Sequence, residues 1–148
     1  MKIRIVSKPE NYNEYKEMLE KAGFSVSDDA DIVFQETVPQ KDSILGEKNG
    51  QLEIIPFDRI IMIESFGRLI ILHTLNEQFS IREKLFELEI QLDNSKFTRI
   101  NKSMIIAKSG IKKIIPSING TMSLLLKNNM RVTVSRIYRA SFKKFIGY

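Results

Sequence analysis

The 148-residue chain has no cysteine, no tryptophan, a single histidine and four prolines. Without cysteine there is no disulfide framework, no thiolate metal site and no thiol nucleophile, which fits a reducing cytoplasm. One histidine leaves no ligand set for zinc. No glycine-rich loop cradles a phosphate, and no Gly-x-Ser-x-Gly elbow presents a serine. No run of about 18 apolar residues offers a membrane-spanning helix. Met1 leads into Lys2-Ile3-Arg4-Ile5-Val6 without the apolar core of a signal peptide. His73 sits in an apolar β-like run and reads as a core residue. Glu64 ends the run Ile60 to Ile63, has no partner visible in the sequence, and reads as a structural strand-end carboxylate. We therefore expect no enzyme, no metal and no cofactor.

The most informative absence is of negative charge. From Asn94 to Tyr148 there is no Asp or Glu, whereas twelve Lys and Arg occur there. Met1 to Asp93 holds the other eleven basic residues and all eighteen acids. The net charge of +5 thus joins a first part of −7 to a last part of +12. Such asymmetry points to a polyanionic partner, and duplex DNA, with one phosphate charge per about 1.7 Å of axis, is the commonest. The plainer reading is a solvated basic face. The rest of the composition, 43% hydrophobic and 28% charged, suits a soluble globular protein of one domain with a small appendage.

The order of segments supports this division. Lys2 to Val6 alternates as a short strand. Ser7 and Glu10 have capping-box spacing with Pro9 between them, predicting a helix whose apolar face carries Tyr12, Tyr15, Leu19 and Ala22 and which ends at Gly23. Short strands at 24–27 and 31–35 complete a small βαβ-like region over residues 1–40. Asp28, Asp29 and Asp31 resemble the acids of a receiver domain, but the piece is too short for one and a solvated turn is the better reading. Pro39, Ser43, Gly46 and Asn49-Gly50 place a boundary within 38–51. Beyond it, Arg59 to Phe66 and Leu69 to Leu75 read as a hairpin around Gly67, and Ser80 with Glu83 as a second capping box opening a helix through Leu92. Strands follow at 97–100, 103–107, 111–118, 121–127 and 130–134. Asn119-Gly120 is the strongest hairpin signal, a type I′ turn. Ser135 to Ile146 reads as a last helix, N-capped by Ser135, with Tyr138, Phe142 and Phe145 on one face and Arg136, Arg139 and Lys143 on another. Four turn signals between short β segments indicate a mainly β, antiparallel sandwich or barrel.

Several of these stretches, in this order, resemble one family. They are Ile60 to Leu75 with its Glu-Ser, Gly-Arg and His-Thr pairs; Ser80 to Glu89; Phe97-x-Arg99-Ile100-Asn101-Lys102-Ser103; Pro116-x-x-Asn119-Gly120; and Val134-Ser135-Arg136-x-Tyr138. Together they resemble the LytTR family of bacterial DNA-binding domains over residues 45–148. The resemblance implies an elongated antiparallel β sandwich of about ten strands, with one internal helix and a short C-terminal helix. It implies a transcriptional regulator whose loops, rather than a recognition helix, enter successive major grooves. Two copies on paired direct repeats of double-stranded DNA are implied as well. Relatives often carry a receiver domain, for which the first forty residues are too few; a stand-alone regulator with a regulatory or dimerising N-terminal piece is the expectation.

By the same resemblance three loops read bases, through Arg68, Asn101 and Arg136. Arg grips guanine O6 and N7, and Asn grips adenine N6 and N7, each with two hydrogen bonds. Lys102, Ser103, Arg139 and Lys143 are the expected phosphate contacts. Asn101 has a plainer reading as a turn residue that satisfies backbone groups. Lys112 and Lys113, adjacent in a strand, point to opposite faces. The main alternative is an RNA or single-strand module, which would want exposed aromatics among the basic residues. A membrane adaptor using the last helix is a third, disfavoured because that helix needs its apolar face for packing.

Overall fold

A computed structural model of the protein describes residues 1–37 and 41–148. Val38, Pro39 and Gln40, where the expected boundary stretch begins, lie outside the described residues. The chain forms two compact units, Met1–Gln40 with Phe86–Gln91, and Lys41–Leu85 with Leu92–Tyr148. This differs from the expected 1–40 and 45–148. Most of helix α2 (Leu85–Gln91) groups with the first unit, where Gln35 Nε2 donates to Ile90 O at 3.3 Å.

In the first unit, β1 (Lys2–Val6) runs parallel to β2 (Ser25–Val26) on one side and β3 (Ile32–Gln35) on the other. Alternation along β1 turns Ile3 and Ile5 onto Leu19 of α1 (Pro9–Lys21), ringed by Tyr12, Tyr15, Phe24, Val26 and Phe34. Gly23 closes the helix at φ +96°, a left-handed conformation that costs glycine little. The helix start corrects the sequence reading, because Lys8 is the N-cap and no capping box forms. Instead Glu36 accepts from Lys8 N at 3.0 Å and from Asn11 Nδ2 at 2.9 Å. The Lys8 amide, above all, holds the Glu36 carboxyl below the usual glutamate range. Asp28 and Asp29 lie in a turn in which Asp29 accepts from Ser27 Oγ, as a solvated turn requires.

The second unit is mainly β. β4 (Ser43–Lys48), β5 (Gln51–Pro56), β6 (Met62–Phe66), β7 (Leu69–His73), β8 (Gln78–Ile81), β9 (Phe97–Asn101) and β10 (Met104–Ala107) form a seven-stranded sheet in the order β5-β4-β8-β7-β6-β10-β9. β11 (Ile111–Pro116), β12 (Met122–Leu126) and β13 (Arg131–Val134) form a second sheet in sequence order. Every pairing in both sheets is antiparallel. Met62, Ile100 and Ile106 of the larger sheet meet Met122, Leu124, Leu126, Val132 and Val134 of the smaller in one buried cluster. Phe142 of α3 (Arg139–Ile146) closes it. No helix of the described residues is long and apolar enough to cross a membrane.

Three local expectations are corrected here. Ser80 does not open a helix; it pairs with Ile71 inside β8, where Phe79 and Ile81 are buried and Gln78 and Ser80 exposed. A period of two prevailed over the capping-box spacing. The two successive positive φ values of a type I′ turn occur at Asn49 (53°) and Gly50 (76°), between β4 and β5, not at Asn119-Gly120. Asn119 turns its side chain back instead, and its Oδ1 accepts from Thr121 N at 3.3 Å and Thr121 Oγ1 at 2.8 Å. Glu64, finally, is not at a strand end; it lies in the middle of β6 and has a partner there. It lies opposite Ile71 while His73 lies opposite Met62, so the two face each other diagonally across β6 and β7. Glu64 Oε1 and His73 Nε2 are 2.8 Å apart, with the residues 8% and 3% exposed.

Two predictions follow from these buried and capping carboxylates. Glu64→Ala and His73→Ala should each cost about 1–3 kcal/mol in urea denaturation by stranding the other partner, and the double variant should cost clearly less than the sum. Additive losses would mean that the pair is not coupled. The depressed Glu36 carboxyl contributes stability that is present above the unfolded pKa and lost as pH falls through the folded one. Acid unfolding of the first unit, followed by hydrogen exchange at Ile3 and Ile5, should therefore flatten in Glu36→Gln.

Candidate nucleic-acid interface

Three chain segments meet at one end of the second unit, and hydrogen bonds between them fix how they meet. β6 and β10 pair with Glu64 opposite Met104, and Ser65 N donates to Ser103 O at 2.8 Å. The β6–β7 turn therefore projects just past Lys102. In that turn Phe66 pairs with Leu69, and of the two central residues only Gly67 has positive φ, at 57°. This is the pattern of a type II′ turn, which sets Arg68 at the exposed tip.

The β9–β10 turn is built on Asn101. Its Oδ1 accepts from Ser103 N at 2.9 Å and Ser103 Oγ at 3.0 Å, and its Nδ2 donates to Thr133 O of β13 at 3.1 Å. Arg99 Nη2 donates to Lys102 O at 2.7 Å from the same turn. Ser135 N donates to Ile100 O at 2.9 Å, so β13 is tied to β9 by backbone as well as side chain. Lys102 is left exposed at the tip.

The last segment starts differently from the expected helix. Residues Arg136–Tyr138 form one 3-10 turn, and α3 begins only at Arg139; Ser135 makes no side-chain cap. Arg136 therefore stands ahead of α3 rather than on one of its faces, while Arg139 and Lys143 share the helix. Arg136 Nε donates to Asn119 O at 3.0 Å, which draws the β11–β12 loop into the cluster. Gly120 lies beside both arginines: a Cβ added there would sit in ordinary contact, 3.7 Å from both Arg136 Nε and Arg139 Nη1. Arg139 Nε is buried with no hydrogen-bond partner among the described residues. Lys143 lies a turn further along, its ammonium 5.4 Å from the centre of the Tyr148 ring. No ion pair among the described residues engages Arg68, Lys102, Arg136, Arg139 or Lys143.

Arg68, Asn101, Lys102, Ser103, Arg136 and Arg139 are thus gathered at one loop end; Lys143 flanks them. Two of the expected contact residues already have partners within the protein. Both acceptor positions of Asn101 Oδ1 are filled, so a two-bond grip on adenine would break its bonds to Ser103. Ser103 in turn directs both its donors at Asn101 rather than outward. Sequence reasoning passed over the Ser117–Thr121 loop as a participant. Its signal, Asn119-Gly120, was visible only as a turn, because the contact to Arg136 spans 17 residues.

A model of the LytTr DNA-binding domain matches residues 50–147. The chain is 32% identical over 101 residues to the sensory transduction protein LytR of Staphylococcus saprophyticus, covering 68% of this chain and 40% of that protein. It is 30% identical over 102 residues to a protein of Staphylococcus aureus named as an HTH-type transcriptional regulator, with 69% of each covered. It thus spans less than half of the LytR relative's length. A solved LytTr DNA-binding domain from Bacillus cereus superposes with a TM-score of 0.70 at 25% identity, over 73% of this chain and 99% of that one.

If Asn101 holds the turns together, Asn101→Ala should lower stability by about 0.5–1.5 kcal/mol in urea, since it removes the bonds to the Ser103 amide and the Thr133 carbonyl. A residue that only read bases would leave the unfolding midpoint unchanged.

Proposed function

The chain belongs to the LytTR family of DNA-binding domains, and on that premise we propose that it is a transcriptional regulator that binds double-stranded DNA through the loop end of its second unit. A single observation carries this reading. Hydrogen bonds between distant segments hold Arg68, Lys102 and Arg136 at one end, with no carboxylate paired to any of them among the described residues. Arg136 is the base reader. Its Nε is committed to Asn119 O, which leaves the two terminal nitrogens directed at guanine O6 and N7. Arg68 and Lys102, on neighbouring turns, reach the groove edge or its phosphates; Arg139 and Lys143 position the protein on phosphates. Asn101 and Ser103 act one step removed, by fixing the turn that presents Lys102.

Paired direct repeats occupied by two copies, in the cytoplasm where such DNA lies, are the arrangement the family resemblance supports. An RNA or single-strand module is less well supported. In the basic third Phe97 and Phe142 are buried, Tyr138 and Phe145 pack on the core, and the exposed Tyr148 lies past the last helix, on no strand. That leaves no row of stacking platforms on a sheet face among the described residues.

The test begins with selection of bound duplexes from a random pool, which reveals any preferred sequence and the spacing of its repeats. Arg136→Ala should then lose about 1–3 kcal/mol of preference for the selected duplex over a scrambled one. Lys143→Ala should weaken both duplexes and reduce the salt slope by about one. If both variants weaken both duplexes alike, the division between base reader and phosphate contact is wrong.

A further inference from the structure

The loop that sequence reasoning passed over carries a side chain that the interface so far leaves unused. Ile118, at the tip between β11 and β12, is fully exposed at 109% of its reference area. A lone exposed aliphatic is ordinary on a protein surface, so exposure alone assigns nothing. The setting of this one is unusual in two respects.

Its loop is internally braced. Ser117 N donates to Thr121 O at 3.1 Å, and the hydroxyls of Ser117 and Thr121 are 3.0 Å apart. The Asn119 carboxamide accepts from Ser117 Oγ, Thr121 Oγ1 and Thr121 N. The loop is also clamped to the proposed base reader, because its Asn119 carbonyl accepts a hydrogen bond from Arg136 Nε and its Gly120 backbone lies against Arg136 and Arg139. Ile118 is therefore held one residue from the atom that orients the Arg136 guanidinium. Ile137, the next residue after Arg136 in the chain, is 82% exposed. A guanidinium bonded next to one uncovered branched aliphatic, and followed in sequence by another, suits a major-groove edge, where guanine offers paired acceptors and thymine offers the C5 methyl group.

We propose that the Ser117–Thr121 loop is a fourth DNA-contacting element and that Ile118 packs on the C5 methyl of a thymine close to the guanine taken by Arg136. This rests on the duplex-reading function proposed above, and deepens it by adding an apolar specificity contact to a charged one. No bond is made or broken; the contact excludes water from a methyl group and from the Ile118 side chain, which both lie in solvent when apart.

The experiment uses the full chain and the duplex that the wild-type protein selects. Each thymine is replaced in turn by deoxyuridine, which removes the methyl and leaves base pairing intact. For the wild-type protein one replacement should weaken binding about fourfold, the scale of a single buried methyl. Ile118→Ala should bind the thymine and deoxyuridine duplexes equally at that position, and its loss at the parent duplex should match the loss that deoxyuridine causes. Ile118 is exposed in a loop, so the variant should keep the wild-type circular dichroism spectrum and melting point. If specific binding persists and no thymine couples to Ile118, the assignment of Ile118 fails while duplex reading stands. A wild-type protein that prefers no sequence overturns both.

Discussion

The arrangement depends on one carboxamide. Asn101 sits where the seven-stranded sheet meets the smaller one, and it bonds at once to its own turn, through Ser103, and to the other sheet, through the Thr133 carbonyl. The neighbouring Ile100 carbonyl takes the Ser135 amide. The two sheets are thus joined by hydrogen bonds as well as by the apolar cluster between them. Apolar contact alone fixes two sheets only loosely in rotation and slide, since it has no direction. Directed bonds at one end remove that freedom where the loops emerge.

From that seam the cationic end is assembled in steps. Fixing Ser135 fixes where Arg136 leaves β13, and Arg136 in turn takes hold of the β11–β12 loop through Asn119. Ser103 is tied to Ser65, which carries the β6–β7 turn and Arg68. The last third of the chain lacks acids altogether, so Lys102, Arg136 and Arg139 have no local counter-ion from their own segment. Burial elsewhere in the second unit follows the opposite rule. Where a carboxylate is buried in the sheet, at Glu64, it is matched to a histidine and sealed.

Legibility divided along sequence distance. Elements set by nearest neighbours could be read directly. The alternation of Ile3 and Ile5, the two-residue turn at Gly67, the strands on either side of Asn101-Lys102-Ser103 and the helix end at Gly23 all rest on contacts a few residues apart. The basic third was legible from the charge count alone, and the loops that carry Arg68, Lys102 and Arg136 were singled out through the family resemblance. Capping-box spacing placed the first helix but not its cap, since a distant glutamate takes the Lys8 amide, and it misled at Ser80, which pairs in a strand. The Glu36 cap spans 28 residues, the Asn101 bond to Thr133 spans 32 and the Arg136 bond to Asn119 spans 17. A periodicity or a motif carries no record of such pairs. They exist only once two sheets have stacked.

The bond from Arg136 to the Asn119 carbonyl has a kinetic side. Freezing a rotamer-rich side chain during association costs about 0.5–1.5 kcal/mol. An arginine already immobilised by its own protein has lost that entropy during folding, so little remains to be lost at the encounter. A right and a wrong ligand would then be captured at similar rates, and discrimination between them would reside in how long each stays.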